Sequence, residues 1–295
     1  MHAFFDCAII KTLFCDYFNK EEGIHVGYYS PQEVTEITIQ KGTQKANSST
    51  LSLVLLGFLG GAFISLGYLL YIRAVGTMPH EWGSFATLIG ASLFPVGLVC
   101  ILLGGGELIT GNMMAVAIAW YDKKISFQQL LRNWAIVSAM NLVGAFFVAY
   151  FFGHFVGLTE GDFLPKTLAT AGAKINDPFW VAFVSGIGCN WFVGIAVWLC
   201  YAAKDFSGKI LGIWFPVMAF VAIGFQHVVA NMFIIPAAIF AGYYSWADFI
   251  WNVIPVYLGN VVGGAVFVSL FYFLAYKKDA PKKVKEEVHQ PIEEN

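Results

Sequence analysis

The stretch GFQHVVANMFIIP, Gly224 to Pro236, holds a histidine and an amide, His227 and Asn231, one helical turn apart. The apolar run around it extends from Leu211 to Ala241 and contains no other ionisable residue. A helix needs about 20 residues to cross a hydrocarbon core of roughly 30 Å. This run is too long for one upright helix, so it must either tilt strongly or consist of two half-helices joined by a non-helical break. Gly224 before the histidine and Pro236 after it favour the break.

The rest of the chain has the same character. Of its 295 residues 58% are hydrophobic, 17% aromatic and 12% charged, where a soluble chain carries about 25% charge. This is the composition of a polytopic membrane protein. The formal net charge of −2 gives no basis for nucleic-acid binding. Apolar segments fall at 52–75, 83–120, 133–157, 179–203, 210–243 and 248–276. The second is also too long, and its break falls in GGGELITGN, Gly104 to Asn112, with three adjacent glycines and a single carboxylate, Glu107. Irregular backbone at membrane depth is tolerated where it lines a cavity or is covered by protein.

The breaks run into matching tripeptides, Gly111-Asn112-Met113 and Ala230-Asn231-Met232. Each group of three segments carries its interrupted member in the middle. Because three spans is an odd number, the halves lie in opposite orientations: an all-α membrane fold of six transmembrane helices, two inverted three-helix repeats with helices 2 and 5 broken, as in transport folds. Lys123, Lys124, Arg132, Lys204, Lys209 and the lysines of the tail fall on one side, and only Lys166 and Lys174 on the other. The richer side is cytoplasmic by the positive-inside rule, so both termini are inside.

The chain divides into an N-terminal extension (1–29), a cytoplasmic interfacial helix (30–50), a six-helix transport domain (51–277) and a charged cytoplasmic tail (278–295). Ser30, Pro31 and Glu33 form a capping-box start for the interfacial helix, whose apolar residues are Val34, Ile37 and Ile39. Residues 1–27 carry an apolar patch too short to span. The five cysteines show no CxxC spacing and read as thiols, without disulfide or metal roles. No two of the six histidines share a span, which excludes a haem or metal site ligated by paired histidines; no cofactor, metal or enzymatic activity is implied.

Among groups deep in the spans, Glu107 reads as support for its glycine loop, accepting backbone N–H bonds, and Gln226 as support for the second break. Arg73 and His154 read as reaching the membrane interface. His227 reads as a pathway residue: an uncharged imidazole donates one hydrogen bond, and an imidazolium can hand a proton to a weak-acid anion. Phe94, Leu98, Phe220 and Phe225 flank the breaks and can form narrow apolar constrictions that exclude hydrated ions.

GFQHVVANM, GGGELITGN and GCNWFVG (Gly188 to Gly194) resemble the formate–nitrite transporter family over residues 30–275. The resemblance implies an aquaporin-like shape, homopentamers with one pore per protomer, and multi-pass insertion in the plasma (inner) membrane. It implies a passive or proton-coupled route for a small monovalent anion, formate first, with nitrite, hydrosulfide, lactate and acetate as alternatives. The implied partners are that anion, protons and the lipid bilayer. The implied pathway residues are Thr110, Asn190, His227 and Asn231, with Lys174 drawing anions into the outer vestibule. The implied constrictions are Phe94, Leu98 and Leu108 on one side and Phe220 and Val193 on the other. Many members carry a glutamate before the histidine; here it is Gln226, which removes a charge beside the imidazole.

Overall fold

The structure is a computed structural model that describes residues 27–278. The expectations for residues 1–26, including Cys7 and Cys15, and for the tail from 279 onward lie outside it. The elements are α1 (Pro31–Ala46), α2 (Thr50–Val75), α3 (His80–Gly105), α4 (Ile109–Tyr121), α5 (Phe127–Phe155), α6 (Leu164–Ile175), α7 (Phe179–Ala202), α8 (Phe206–Ile223), α9 (Val228–Phe240) and α10 (Trp246–Lys277). Six of these, α2, α3, α5, α7, α8 and α10, are long and apolar enough to cross a bilayer. The described residues form no strand; one isolated bridge joins Tyr28 to Ala203.

Caps set the helix starts. Ser30 with Glu33, Ser126 with Gln129 and Ser245 with Asp248 form reciprocal capping boxes at α1, α5 and α10. Asp205 and Ser49 cap α8 and α2 through their side-chain oxygens. At 13 residues each, α4 and α9 are about 20 Å long and reach only part-way across a membrane. Gly105 (φ 112°) and the extended Gly106 separate α3 from α4. Gly224 (φ 91°) ends α8, with its own N–H and that of Phe225 both bonded to the carbonyl of Phe220.

The spans meet at small residues. A Cβ on Gly61 of α2 would sit 2.0 Å from the carbonyl oxygen of Asn141 on α5, and one on Gly144 of α5 would sit 2.1 Å from that of Phe58. With no side chain in the way, the backbones approach closely, and van der Waals packing holds helices together where lipid supplies no hydrophobic drive. Parts of α3, α5 and α10 are wound as π-helix, over Cys100–Gly105, Val148–Phe155 and Val262–Leu270. Composition does not show this, because apolar residues suit either winding.

The helix α1 buries Val34, Thr35, Thr38, Ile39, Gly42 and Ala46. Its apolar residues pack with Met114, Ala115 and Ile118 of α4. Its contact face therefore includes two threonines and a glycine beyond the Val34, Ile37 and Ile39 stripe legible in the sequence, and it is spent on protein. The outside of the bundle carries exposed Phe155, Trp180, Phe215 and Trp251, as a lipid-facing or subunit-facing wall requires. Arg73 lies over the ring of Phe163 at 3.5 Å, and His154 bonds Glu160, so both side chains end on the connection that carries α6. Cys100, Cys189 and Cys200 are free thiols.

Gly61→Val should destabilise the bundle by about 1–3 kcal/mol through overpacking, read as a lowered thermal midpoint in detergent. Gly104→Ala, whose Cβ meets nothing within 4 Å, should leave the midpoint in place. Equal midpoints for both variants would contradict the close approach of α2 and α5.

Candidate substrate pathway

The centre of the molecule is where α4 and α9 begin. His227 precedes α9 in an extended conformation (φ −102°, ψ 120°), and its Nδ1 accepts the N–H of Ala230 at 3.1 Å. The lone pair on Nδ1 is thereby used, so the ring proton sits on Nε2 and is donated to Thr110 Oγ1 at 2.9 Å, on the first turn of α4. The imidazole is 2% exposed, and the Phe220 ring stacks on it with centroids 5.8 Å apart. Phe94 meets Phe220 edge-on at 5.9 Å.

A vestibule of about 430 Å³ ends at this group. Its walls include Lys166, Lys174, Asp177, Phe94, Phe220, His227 and Asn231. On the far side, the space bounded by Lys45, Leu98, Leu102 and Leu108 shrinks to about 10 Å³. Between the two, Phe94, Phe220, Leu98, Leu108, Val193 and Ile64 close around His227 and leave no room for a water molecule. Phe94 and Phe220 also line the vestibule, and Leu98 and Leu108 also line the far space. Leu98 lies one turn beyond Phe94, about 6 Å further along α3.

Two asparagines missed by sequence reasoning hold the breaks. Asn141 of α5 accepts the N–H of Ile109 at 2.9 Å and donates to the carbonyls of Gly57 (2.7 Å) and Glu107 (2.8 Å). Asn260 of α10 accepts the N–H of Val228 at 2.9 Å and donates to the carbonyls of Gly186 (2.8 Å) and Gln226 (3.1 Å). The signal was present in the repeated Asn-Leu-Val-Gly at 141–144 and Asn-Val-Val-Gly at 260–263.

The side chains around the breaks correct two further expectations. Glu107 accepts no loop N–H through its carboxylate; it takes Lys45 Nζ at 2.8 Å and Asn112 Nδ2 at 2.6 Å. Asn141 and the carbonyl of Leu56 satisfy the loop backbone, which frees the carboxylate for the lysine. Gln226 turns away from the imidazole and donates to Asp177 at 2.6 Å, while accepting from Asn231 (2.8 Å) and Asn252 (2.9 Å). Its effect on His227 is therefore exerted through the scaffold, not by direct contact. Asn231 lines the vestibule with its amide nitrogen committed to Gln226 and Asn252. Asn190 stands behind Thr110, donating to that residue's carbonyl at 3.2 Å and to that of Asn260 at 2.6 Å.

Lys174, at the end of α6, is half-buried with its ammonium 2.9 Å from the carbonyl of Gly224 and 3.4 Å from that of Phe225. Desolvation lowers its pKa below the usual lysine value, and Asp177 partly opposes that shift. No group of three or more His, Cys, Asp or Glu able to hold a metal occurs among the described residues. The arrangement offers a basic, water-accessible cup, an aromatic ring, and a single imidazole–hydroxyl pair before an apolar seal.

The formate/nitrite transporter profile matches residues 32–274. The chain belongs to the formate/nitrite transporter family. Among the relatives of this transporter, the "Uncharacterized transporter YrhG" of Bacillus subtilis is 59% identical over 265 residues, covering 89% of this chain and all of that protein. The formate channel BtFdhC of Bacillus thuringiensis is 53% identical over 253 residues, covering 86% of this chain and 98% of that protein. A solved pentameric formate channel with formate bound superposes with a TM-score of 0.68 at 30% identity, covering 77% of this chain and 97% of that one. This transporter is thus an all-helical, multi-pass membrane protein of a transport family, built like solved channels of that family.

Asn260→Leu removes the acceptor for the buried Val228 N–H and should cost about 1–3 kcal/mol, seen as a lower unfolding midpoint in detergent. A variant as stable as the parent would show that Asn260 does not hold the break.

Proposed function

We propose that the chain forms a passive or proton-coupled pathway for a small monovalent weak-acid anion, formate first, in a homopentamer with one pore per protomer. The carrying observation is the vestibule that runs from Lys174 past Phe94 and Phe220 to His227 and Thr110. Formate is favoured because close relatives are named formate channels and one solved relative is described with formate bound. On this reading the two halves are inverted repeats, the protein lies in the plasma membrane, both termini are cytoplasmic, and Lys174 faces outward.

Magnitudes favour transit in neutral form. Holding a carboxylic acid of pKa near 4 protonated at pH 7 costs about 4 kcal/mol. Moving its carboxylate into an apolar layer costs several kcal/mol at least, and of order 20 in the Born limit. The anion is collected at Lys174, loses water at Phe94 and Phe220 and takes a proton from the vestibule water before Leu98, Leu108 and Val193; the acid gives that proton back to water on the far side. The lysine stabilises negative charge, so it assists capture and opposes protonation; neutralisation belongs deeper, near His227.

In proteoliposomes loaded by radiolabelled formate, His227→Phe should abolish or strongly alter the pH dependence of flux. An unchanged profile would remove the histidine from the mechanism. Lys174→Ala should raise the half-saturating formate concentration about fivefold, the value of roughly 1 kcal/mol for a unit charge at contact in water. An unmoved half-saturation would discard the capture role.

A further inference from the structure

The two breaks are backed by matching side-chain networks that differ in one charge. At the first, Asn112 Nδ2 bridges Glu107 (2.6 Å) and Asn133 (2.9 Å), and Asn133 donates to the carbonyl of Lys45 at 3.0 Å. At the second, Asn231 Nδ2 bridges Gln226 and Asn252 (both 2.8 Å), and Asn252 donates to the carbonyl of Lys174 at 2.7 Å. Lys45 and Lys174 are therefore counterparts, one at each end of the pathway.

Their charges are handled differently. Lys45 Nζ is paired with the Glu107 carboxylate at 2.8 Å. The equivalent of Glu107 is the neutral Gln226, so the Lys174 ammonium rests on two carbonyl oxygens. The Lys174 mouth holds Lys166, Lys174 and Asp177 in its wall, a surplus of one positive charge. The Lys45 mouth is a neutral ion pair beside Leu98, Leu102 and Leu108.

We propose that the Glu107/Gln226 difference makes the pathway asymmetric in anion affinity, with the Lys174 mouth capturing the anion and the Lys45 mouth, neutralised by Glu107, releasing it. This rests on the anion-pathway reading above. It assigns Glu107 a role in setting the affinity of one mouth in addition to positioning Asn112. Direction of net flux is untouched: a passive route obeys its gradient. Microscopic reversibility requires equal Vmax/KM from both faces when pH is matched and voltage is zero. The tighter mouth must therefore also show the lower Vmax.

The test is zero-trans radiolabelled formate flux into vesicles of sorted orientation, at matched pH and clamped zero voltage. The wild-type protein should show a half-saturating concentration about fivefold lower at the Lys174 face, the effect of one unpaired charge near the surface, with Vmax lower in proportion. Glu107→Gln should lower the half-saturation at the Lys45 face toward the Lys174-face value. Lys45→Gln combined with Glu107→Gln should return it to the wild-type value, separating charge from a purely structural effect. If Glu107→Gln does not assemble, Lys45→Met, which leaves the carboxylate unpaired, should raise the half-saturation at that face. Equal half-saturation from both faces of the wild-type protein would overturn the proposal, as would Lys45-face values unmoved by these changes. Flux no greater than in protein-free vesicles would instead overturn the anion-pathway reading itself.

Discussion

The structure depends on satisfying the backbone where two helices are interrupted. Lipid offers no hydrogen-bond partner, so each peptide group freed by a break needs one from the protein. Asn141 and Asn260 meet this need with one side chain each, because an amide carries an acceptor and two donors. Each takes the first N–H of a half-helix and gives two bonds to carbonyls, one at the break and one on the adjacent span. A hydroxyl could not make this three-way connection. The clamps also fix the distance from α2 to α5 and from α7 to α10, the approaches that glycine permits. Break, clamp and helix packing are one constraint.

That constraint decides what faces the centre. The half-helices α4 and α9 both begin there, with Thr110 in the first turn of one and His227 capping the other. Helix N-termini favour negative charge, and two of them converge within the 2.9 Å Thr110–His227 bond. On the proposed route, an anion that loses water here retains some electrostatic compensation where the walls are apolar. Phe220, stacked on the imidazole and braced by Phe94, fixes the ring plane as well as the aperture.

Much of this was legible in the sequence, and the omissions have physical causes. The span count follows from run length and charge content, and His227 stands out because titratable groups are costly in an apolar run. The clamps were missed because a lone asparagine on a span has several ordinary roles, and its partners here lie on other spans. The partner of Glu107 was missed for a similar reason: Lys45 is 62 residues upstream, on a helix that reads as surface-bound.

In the proposed route, capture and neutralisation make opposite demands, and the fold answers by separating them in depth while joining them through the chain. A cation holding the anion strengthens the acid it must later become, so Lys174 cannot also be the place of protonation. Its ammonium binds the carbonyls of Gly224 and Phe225, the residues that end α8 and lead through Gln226 to His227. Asn252 and Gln226 both bond the carbonyl of Lys174 itself. The lysine is thereby held at a set height above the imidazole, with the Phe94–Phe220 ring between them. On this route an anion drawn from Lys174 toward that ring leaves the charge that favoured its ionised form before it reaches the imidazole, and this order follows from the depth at which each side chain is fixed.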